Sequence, residues 1–390
     1  MKKVSSVVTA TILSMSLLTV MAGAAIAPAL DIIHQHFASS QLFLVQLIVS
    51  IPAIFIIITN LFFLPISRRF GSRIIAIAGL LLYIVSGAGC YFVDSVSAML
   101  VMRALLGVSV GLIMPLSTGL LSYYFPPEEQ ARLMGLSAAM NQMGGVVATL
   151  LAGMLATIEW NDAFLVYLLG AVALFMVVRW LPDEHLGSSN KRGKAFHPRQ
   201  LLKFHPSVVG MLLLMTIFFV FPTNFAIITS RQLGLSTIHI TVIMVGLDVV
   251  AFFAGLVFGT LMKHFRKAIK YFAPLAFLAG YLCYAVAETI APVIIGSVLI
   301  GLANGVGVPY LLTIASIKAG RNAATTVMPL LSAALYLGQF LSPILVVPLS
   351  RLLFGSACVE APYFVAVLFS IVFLAQVFFT RQFQSLPPEK

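Results

Sequence analysis

Two side chains with a formal charge stand inside stretches that are otherwise apolar, Arg103 and Asp248. A charge at the centre of a membrane-spanning helix costs at least about 2.5 to 3.5 kcal/mol, so such residues normally face a cavity or a partner. Asp248 lies near the middle of its stretch, where a carboxylate can bind and release a proton. Arg103 is a fixed cation that can contact a substrate or a carboxylate. We therefore expect Asp248 to carry a coupling proton and Arg103 to contact the substrate or a coupling carboxylate.

The alternative is that nearby amides and hydroxyls simply satisfy each buried charge. For Asp248 the sequence also predicts a close helix contact, because Gly255 and Gly259 share its helix face. Its position therefore fits either a proton site or a packed interior.

Uncharged polar side chains in the apolar stretches are candidates for orienting a small organic molecule. Amides and phenols make hydrogen bonds there, although they also join helices to each other. The candidates for substrate binding are Asn141, Gln142, Asn224, Asn304, Tyr336 and Gln339. The positions around them are mostly Phe, Met, Leu and small residues, which favours an apolar or amphipathic ligand over a sugar.

The residues after Arg103 form a stripe of glycines. The segment reads MRALLGVSVGLIMP, so Gly107 and Gly111 follow the arginine at intervals of four and Pro115 ends the segment. Residues four apart share a helix face, so the stripe predicts the close approach of a neighbouring helix. The same pattern returns half a chain later, at Gly301, Gly305 and Pro309. A repeat of this length is typical of a transporter built from two parallel bundles.

The elements that carry these residues are predicted to be membrane-spanning helices. Of the 390 residues, 61% are hydrophobic and 9% are charged, which is too apolar for a soluble domain. Twelve runs are long enough to cross about 30 Å of hydrocarbon. They lie near residues 5–29, 42–66, 74–93, 96–122, 132–157, 163–181, 207–230, 237–262, 271–288, 291–317, 324–349 and 361–380. The predicted fold is an all-α polytopic membrane protein of twelve transmembrane helices in two six-helix pseudo-symmetric bundles.

The predicted domains are an N-terminal bundle over 1–181, a linker over 182–206 and a C-terminal bundle over 207–390. The linker is rich in Lys, Arg, Gly and Ser, and we interpret it as a solvated connector, with a regulatory or lipid-binding segment as the alternative. The first run resembles a secretory signal peptide, but its apolar part is longer than usual, so we keep it as the first span.

The positive residues predict the orientation, because Lys and Arg near the ends of spans stay on the cytoplasmic side. When both termini are placed in the cytoplasm, the 23 Lys and Arg residues lie on the cytoplasmic side except for Arg103, Arg231 and Arg351. Several acidic residues then fall in short outer loops, where we expect water to solvate them. These are Asp31, Asp94, Glu159, Asp162, Glu288 and Glu360.

Other classes of function find little support in the sequence. There is no GxxxxGK[ST] phosphate loop, and the spans hold no Ser/His/Asp set, so we expect no cofactor, no catalytic residue and no enzyme. His34 and His36 lack a third ligand nearby, and the three cysteines are far apart, so no metal is expected. The net charge of +11 reflects topology and anionic lipid, without a nucleic-acid partner. The expected partners are a small-molecule substrate, protons and membrane lipid, and the expected state is a monomer.

The loop after the second run, LPISRRFGSR over 64–73, resembles the loop signature of the major facilitator superfamily, G-x-L-x-D-R-x-G-R-[KR]. Leu64 replaces the leading glycine and Arg68 replaces the acidic residue, and the equivalent loop of the second half has Lys263 at the acidic position. In the family that carboxylate takes part in a charge relay at the cytoplasmic gate. The resemblance implies a gating loop of Arg68, Arg69, Gly71 and Arg73 that works without it.

Two further segments resemble the drug-exporting branch of this superfamily. Arg103 with its glycines is similar to the fourth-helix motif R-x-x-x-G, whose arginine is associated with proton coupling. The segment Asn141-Gln-Met-Gly-Gly145 is similar to the antiporter motif of the fifth helix, with Ala148-Thr149 in place of its Gly-Pro. The resemblance implies an antiporter that exports its substrate.

The function expected from the sequence is a proton-coupled secondary transporter that exports a small apolar or amphipathic organic molecule by alternating access. Its expected place is the bacterial cytoplasmic membrane, as a multi-pass protein. A proton-coupled importer or uniporter of a nutrient or metabolite remains the alternative, and a lipid-handling membrane protein is a less favoured one.

Overall fold

The computed structural model describes residues 6–37, 40–125, 127–184, 204–319, 323–355 and 358–380. Within these ranges the regular structure is helical and no strand occurs. The helices of the first half are α1 (Ser6–Ala24), α2 (Leu30–His36), α3 (Leu42–Arg69), α4 (Ser72–Gly89), α5 (Val96–Tyr124), α6 (Pro127–Leu155) and α7 (Gly170–Trp180). Those of the second half are α8 (His205–Phe218), α9 (Val220–Leu233), α10 (Thr237–Phe265), α11 (Phe272–Ala285), α12 (Ile290–Ala319), α13 (Ala323–Phe354) and α14 (Ala361–Phe379).

Twelve of the described helical segments are long and apolar enough to cross a membrane, which confirms the predicted number of spans. We number them in chain order. Span 1 (Ser6–His36) contains α1 and α2, and span 7 (His205–Leu233) contains α8 and α9. Each of the other ten spans contains one α-helix, from α3 to α7 and from α10 to α14, and 3-10 segments extend this helix in spans 3, 6 and 9.

The chain divides into two compact units, residues 1–192 and 193–390, with six spans in each. Unit 1 and unit 2 are the names used below. The division falls inside the predicted linker 182–206, of which residues 185–203 lie outside the described part of the chain.

The first span of each unit is broken at a proline. In span 1, helix α1 ends at Ala24 and a 3-10 turn containing Pro28 precedes α2. In span 7, helix α8 ends at Phe218 and Pro222 lies in the first turn of α9. A proline has no N–H to donate and its ring clashes with the preceding turn, so the helical bonding pattern is interrupted at both places.

The glycine stripes lie where helices approach closely. A Cβ built on Gly107 would collide with the Pro52 carbonyl, and one on Gly111 would stand 2.6 Å from the Thr59 Cβ. Spans 2 and 4 therefore pack backbone to backbone. In unit 2, spans 8 and 10 repeat the arrangement, because a Cβ built on Gly301 would lie 2.7 Å from the Leu247 carbonyl oxygen.

The remaining members of the two stripes continue this pattern. A Cβ on Gly305 would collide with the Ala251 carbonyl. Pro115 and Pro309 lie inside the long helices α5 and α12 without ending them. The proline therefore marks the same place in the fourth span of each unit.

Candidate functional site

Arg103 is fully buried in unit 1, where its guanidinium joins three other spans to span 4. Its Nε donates to the Ile48 carbonyl of span 2 at 2.8 Å. One terminal nitrogen donates to the Tyr167 hydroxyl of span 6 at 2.5 Å, and the other donates to the Ala22 carbonyl of span 1. Ala22 lies just before the break in span 1, so the arginine satisfies a carbonyl beside the interrupted helix.

A tyrosine supports the guanidinium from a second direction. The Arg103 Cζ lies 5.7 Å from the centre of the Tyr167 ring, and the Tyr167 hydroxyl also donates to the Ala22 carbonyl at 3.2 Å. In the described residues the hydrogen-bond acceptors of Arg103 are two carbonyls and a phenol, rather than a carboxylate. These contacts favour the alternative in which the buried charge is satisfied internally. The coupling role of Arg103 stays a prediction.

Unit 2 carries a neutral group at the corresponding position. Ser297 stands at the offset that relates Gly107 to Gly301, and its hydroxyl donates to the Val293 carbonyl at 2.8 Å and shares a hydrogen bond of 2.7 Å with Tyr284. The break in span 7 is also served by a phenol, because the Tyr281 hydroxyl donates to the Ile217 carbonyl at 2.6 Å. The carbonyls beside the broken first span therefore accept hydrogen bonds from a guanidinium and a phenol in unit 1 and from a phenol in unit 2.

Asp248 is half-buried on span 8. The close contact with span 10 lies on the adjacent face, because the Leu247 and Ala251 carbonyls are the groups that face the glycines of span 10. On the predicted face, a Cβ on Gly255 would lie 3.6 Å from the Gly305 carbonyl of span 10, which is an ordinary contact, and one on Gly259 would meet no atom within 4 Å, so the predicted close contact through Gly259 is wrong. Leu247 and Ala251 on the adjacent face are buried.

Asp31 is only 5% exposed, so the prediction that water solvates it is wrong. Helix α2 resumes after the break at Pro28 and carries Asp31 inside span 1. Its Oδ2 accepts a hydrogen bond of 2.8 Å from the Gln35 amide, and its Oδ1 has no hydrogen-bond partner among the described residues. The spans of unit 1 therefore contain a buried carboxylate, whereas Asp248 of unit 2 is half-buried.

The amides predicted to bind substrate have distinct surroundings. Asn141 is half-buried, and its Oδ1 accepts a hydrogen bond of 2.8 Å from the Thr19 hydroxyl, which links span 5 to span 1. Gln142 beside it is half-buried. Asn224 is buried after the break in span 7, where its amide donates to the Val220 carbonyl at 2.9 Å. Asn141 and Asn224 therefore both have structural bonds.

The other three candidates lie in spans 10 and 11 of unit 2. Asn304 is half-buried, and its buried Oδ1 has no hydrogen-bond partner in the part of the chain that the structure describes. Tyr336 is half-buried and Gln339 is buried in span 11. Asn304 thus offers an acceptor that the described residues leave unused.

The predicted gating loop is held by carboxylates that the sequence analysis missed. The Asp183 carboxylate lies against Gly71, and its Oδ1 accepts the backbone N–H of Arg73 at 3.1 Å. The Arg73 guanidinium donates to the Val178 carbonyl. Helix α4 begins at Ser72, so a negative charge sits at the positive end of a helix dipole.

Glu184 completes this contact. Its backbone carbonyl accepts the Ser72 N–H at 2.8 Å, and its carboxylate accepts a hydrogen bond of 3.1 Å from the Tyr123 hydroxyl. This bond and the negative charge of Glu184 raise the pKa of Tyr123. Arg68 and Arg69 are exposed, with Arg69 6.0 Å from the centre of the Phe70 ring. The acidic pair directly after span 6 was the signal in the sequence for this contact.

Comparison with known proteins identifies the family. Residues 12–343 match the family profile of the Major Facilitator Superfamily. The chain belongs to this superfamily. The resemblance inferred from the loop and the fourth span is thereby confirmed, and a multi-pass membrane protein of a transporter family is established.

Relatives within the superfamily are similar over part of their length. The Quinolone resistance protein NorA of Staphylococcus aureus (strain MRSA252) is 26% identical over 230 residues, which span 57% of this chain and 57% of NorA. The Multidrug resistance protein 3 of Bacillus subtilis (strain 168) is 24% identical over 121 residues, which span 30% of this chain and 24% of that protein.

Solved superfamily structures are similar over almost the whole chain. A bacterial homolog to the human lysosomal transporter Spinster, inward-facing and unoccupied, has a TM-score of 0.80 at 16% identity and covers 98% of both chains. The nucleoside transporter NupG has a TM-score of 0.76 at 11% identity and covers 96% of this chain and 100% of its own. At these identities the likeness shows the fold alone.

Proposed function

We propose that the protein exports small apolar or amphipathic organic molecules across the bacterial cytoplasmic membrane in exchange for protons, by alternating access. The observation that carries the proposal is Asp248, a half-buried carboxylate inside a membrane span. A carboxylate in this position is costly to keep unless the protein uses it, so intramembrane acids commonly mark ion pathways. The names of the relatives, which refer to quinolone and multidrug resistance, support export as the direction.

The polar groups of the spans support an apolar or amphipathic substrate. Asn141 and Asn224 already make hydrogen bonds within the protein, so fewer amides are left to bind a ligand. Asn304, with its unused acceptor, is the strongest candidate for one oriented polar contact. Gln142, Tyr336 and Gln339 remain proposed neighbours of the substrate. A single oriented contact among apolar walls suits a ligand that is mostly hydrophobic.

The test uses purified protein in liposomes with an acidic lumen and a fluorescent lipophilic organic cation outside. Proton exit should drive accumulation of the cation in the lumen. Asp248→Asn keeps the shape of the side chain and removes its titration, so this variant should retain downhill exchange of the cation and lose accumulation. The matched control is Asp94→Asn, because Asp94 is an exposed acidic residue outside the spans.

Unchanged accumulation by Asp248→Asn would contradict the proposed coupling residue. A gradient that instead drives the cation out of the acidic lumen would identify the importer that the sequence left as the alternative.

A further inference from the structure

The loops between the second and third spans of the two units differ in how their positive charge is balanced. In unit 1 the acidic residues Asp183 and Glu184 lie at the loop. In unit 2 the connection between spans 8 and 9 holds Lys263, His264, Arg266 and Lys267, and Lys270 follows at the start of span 9. The sequence has no acidic residue between positions 248 and 288. The basic loop of unit 2 therefore has no carboxylate of its own segment to pair with.

Lys270 is a buried residue at the start of span 9. Its side chain is only 7% exposed, and its ammonium lies 4.6 Å from the centre of the Tyr271 ring. Within the described ranges this ring contact is its sole polar interaction, because Lys270 forms no hydrogen bond or ion pair there. The methylene stem of Lys270 is buried, while its ammonium tip stays accessible. No carboxylate of the described residues pairs with it.

An apolar cleft of about 300 Å³ lies beside this lysine, between spans 8, 9 and 10. Its lining includes Leu261, Phe265, Ala268, Tyr271, Phe272 and Val306. Tyr271 belongs to the lining and also carries the ammonium of Lys270 on its ring, so the positive charge borders the cleft. Phe265 is 50% exposed at this place.

The equivalent loop of unit 1 is filled by the protein itself. The alignment that pairs Lys263 with Arg68 places Arg266 at the position of Gly71. The Asp183 carboxylate lies against Gly71, so unit 1 supplies both the filling and the negative charge. Among the described residues of unit 2 no carboxylate lies at the loop, and an apolar cleft borders Lys270.

We propose that this cleft binds an acyl chain of an anionic phospholipid whose phosphate pairs with Lys270. The apolar lining selects a hydrocarbon chain, and the Lys270 ammonium at its border selects a negatively charged head group. Met262 ends span 8 and Ala268 begins span 9, which places the cleft at the depth of the lipid head groups. The predicted orientation puts it on the cytoplasmic side, where anionic lipids attract basic loops. The site is independent of the proposed transport activity.

The experiment measures the thermal unfolding of the purified full chain in detergent with added lipid. Phosphatidylglycerol should raise the Tm by roughly 2 to 4 °C more than phosphatidylcholine with the same acyl chains. Glycerol 3-phosphate, which has the phosphate without a chain, should give no shift. Lys270→Gln should respond equally to the two lipids. The control Arg179→Gln removes an exposed positive charge in the last turn of span 6 of unit 1 and should keep the difference.

A second variant tests the same site in case Lys270→Gln folds poorly. Ala268→Trp fills the cleft without changing charge, so it should reduce the specific response to phosphatidylglycerol. Equal responses of the unaltered protein to both lipids, or an undiminished difference in Lys270→Gln, would overturn the proposal. A specific response that arises only after deletion of residues 381–390 would also overturn it, because the C-terminal tail would then be the occupant.

Discussion

Asp183 lies against Gly71 although spans 3 to 6 separate the two residues along the chain. The loop that contains Gly71 lacks the acidic residue of the superfamily signature, since Arg68 stands at that position. A carboxylate is nevertheless present at the loop, because the segment after span 6 delivers it to the start of helix α4. The loop is therefore built from two distant segments of unit 1.

The contact between Asp183 and the start of α4 should contribute measurably to stability. Asp183→Asn weakens the interaction with the helix dipole and should cost about 0.5 to 1 kcal/mol in the free energy of unfolding. Gly71→Ala should cost more alone, since its Cβ collides with the carboxylate, and less in the presence of Asp183→Ala. Thermal unfolding of the unaltered protein, Gly71→Ala, Asp183→Ala and the double variant forms a double-mutant cycle that measures this coupling. Additive effects would show that the two residues do not interact.

Arg103 should be needed for folding of unit 1. Arg103→Met keeps bulk but leaves the Ala22 and Ile48 carbonyls without their donor, so we expect a loss of about 3 kcal/mol or more. The control is Arg351→Met, which removes an exposed arginine at the end of span 11. The measurement is the yield and the Tm of protein extracted from the membrane.

The same variant separates the two interpretations of Arg103. A variant with a normal Tm and no gradient-driven transport would contradict the structural interpretation and support the coupling role. A low Tm with transport in proportion to the folded fraction would support the structural one.

The close packing of spans 8 and 10 predicts opposite effects for two glycines. Gly305→Ala pushes a methyl group into the Ala251 carbonyl and should cost roughly 1 to 3 kcal/mol. Gly259→Ala on span 8 meets no atom within 4 Å and should be neutral or slightly stabilising, because alanine favours the helix. Thermal unfolding of the two variants is the measurement, and equal losses would contradict the assigned faces.

The hydrogen bond between Tyr123 and Glu184 should be lost at alkaline pH. The hydrogen bond to Glu184 raises the pKa of this phenol above its ordinary value of about 10. The contact is therefore fully present below about pH 10 and is lost as the pH rises through the raised pKa. Glu184→Gln should lower that pKa, as measured by tyrosinate absorbance against a Tyr123→Phe reference. An identical alkaline titration in Glu184→Gln would contradict the assigned cause.

The orientation of the chain in the membrane stays a prediction that labelling can test. In a background without the native cysteines, a cysteine at Ser188 should react only with reagent that reaches the cytoplasm. A cysteine at Asp162 should react only with external reagent. Reaction of both from one side would contradict the assigned topology. Ser188 lies outside the described residues, so this prediction comes from the charge distribution alone.

The sequence was sufficient for features that depend on local composition and regular spacing. Hydropathy located the twelve spans, and the four-residue spacing of Gly107 and Gly111 predicted the close approach of a helix that proved to be span 2. Asp31 was misplaced because a helix can resume after a proline, and only the tertiary fold shows that it does so here. Asp183 was missed because its partner comes from four spans earlier.

Span 8 shows the same limit in another form. Small residues occur on both of its faces, so composition alone does not decide whether Leu247 or Gly259 meets span 10. That choice depends on the shape of the partner helix.

The broken first span has a consequence for biogenesis. Spans 1 and 2 leave the ribosome before span 4, so the Ala22 and Ile48 carbonyls are already in the membrane when Arg103 arrives. Tyr167 follows two spans later and completes the set of partners. The order of synthesis thus places two carbonyl acceptors in the membrane before the Arg103 side chain is inserted. In unit 2 the neutral Ser297 stands at that position and donates to the Val293 carbonyl of its own span, so insertion of that span does not depend on earlier spans for an acceptor.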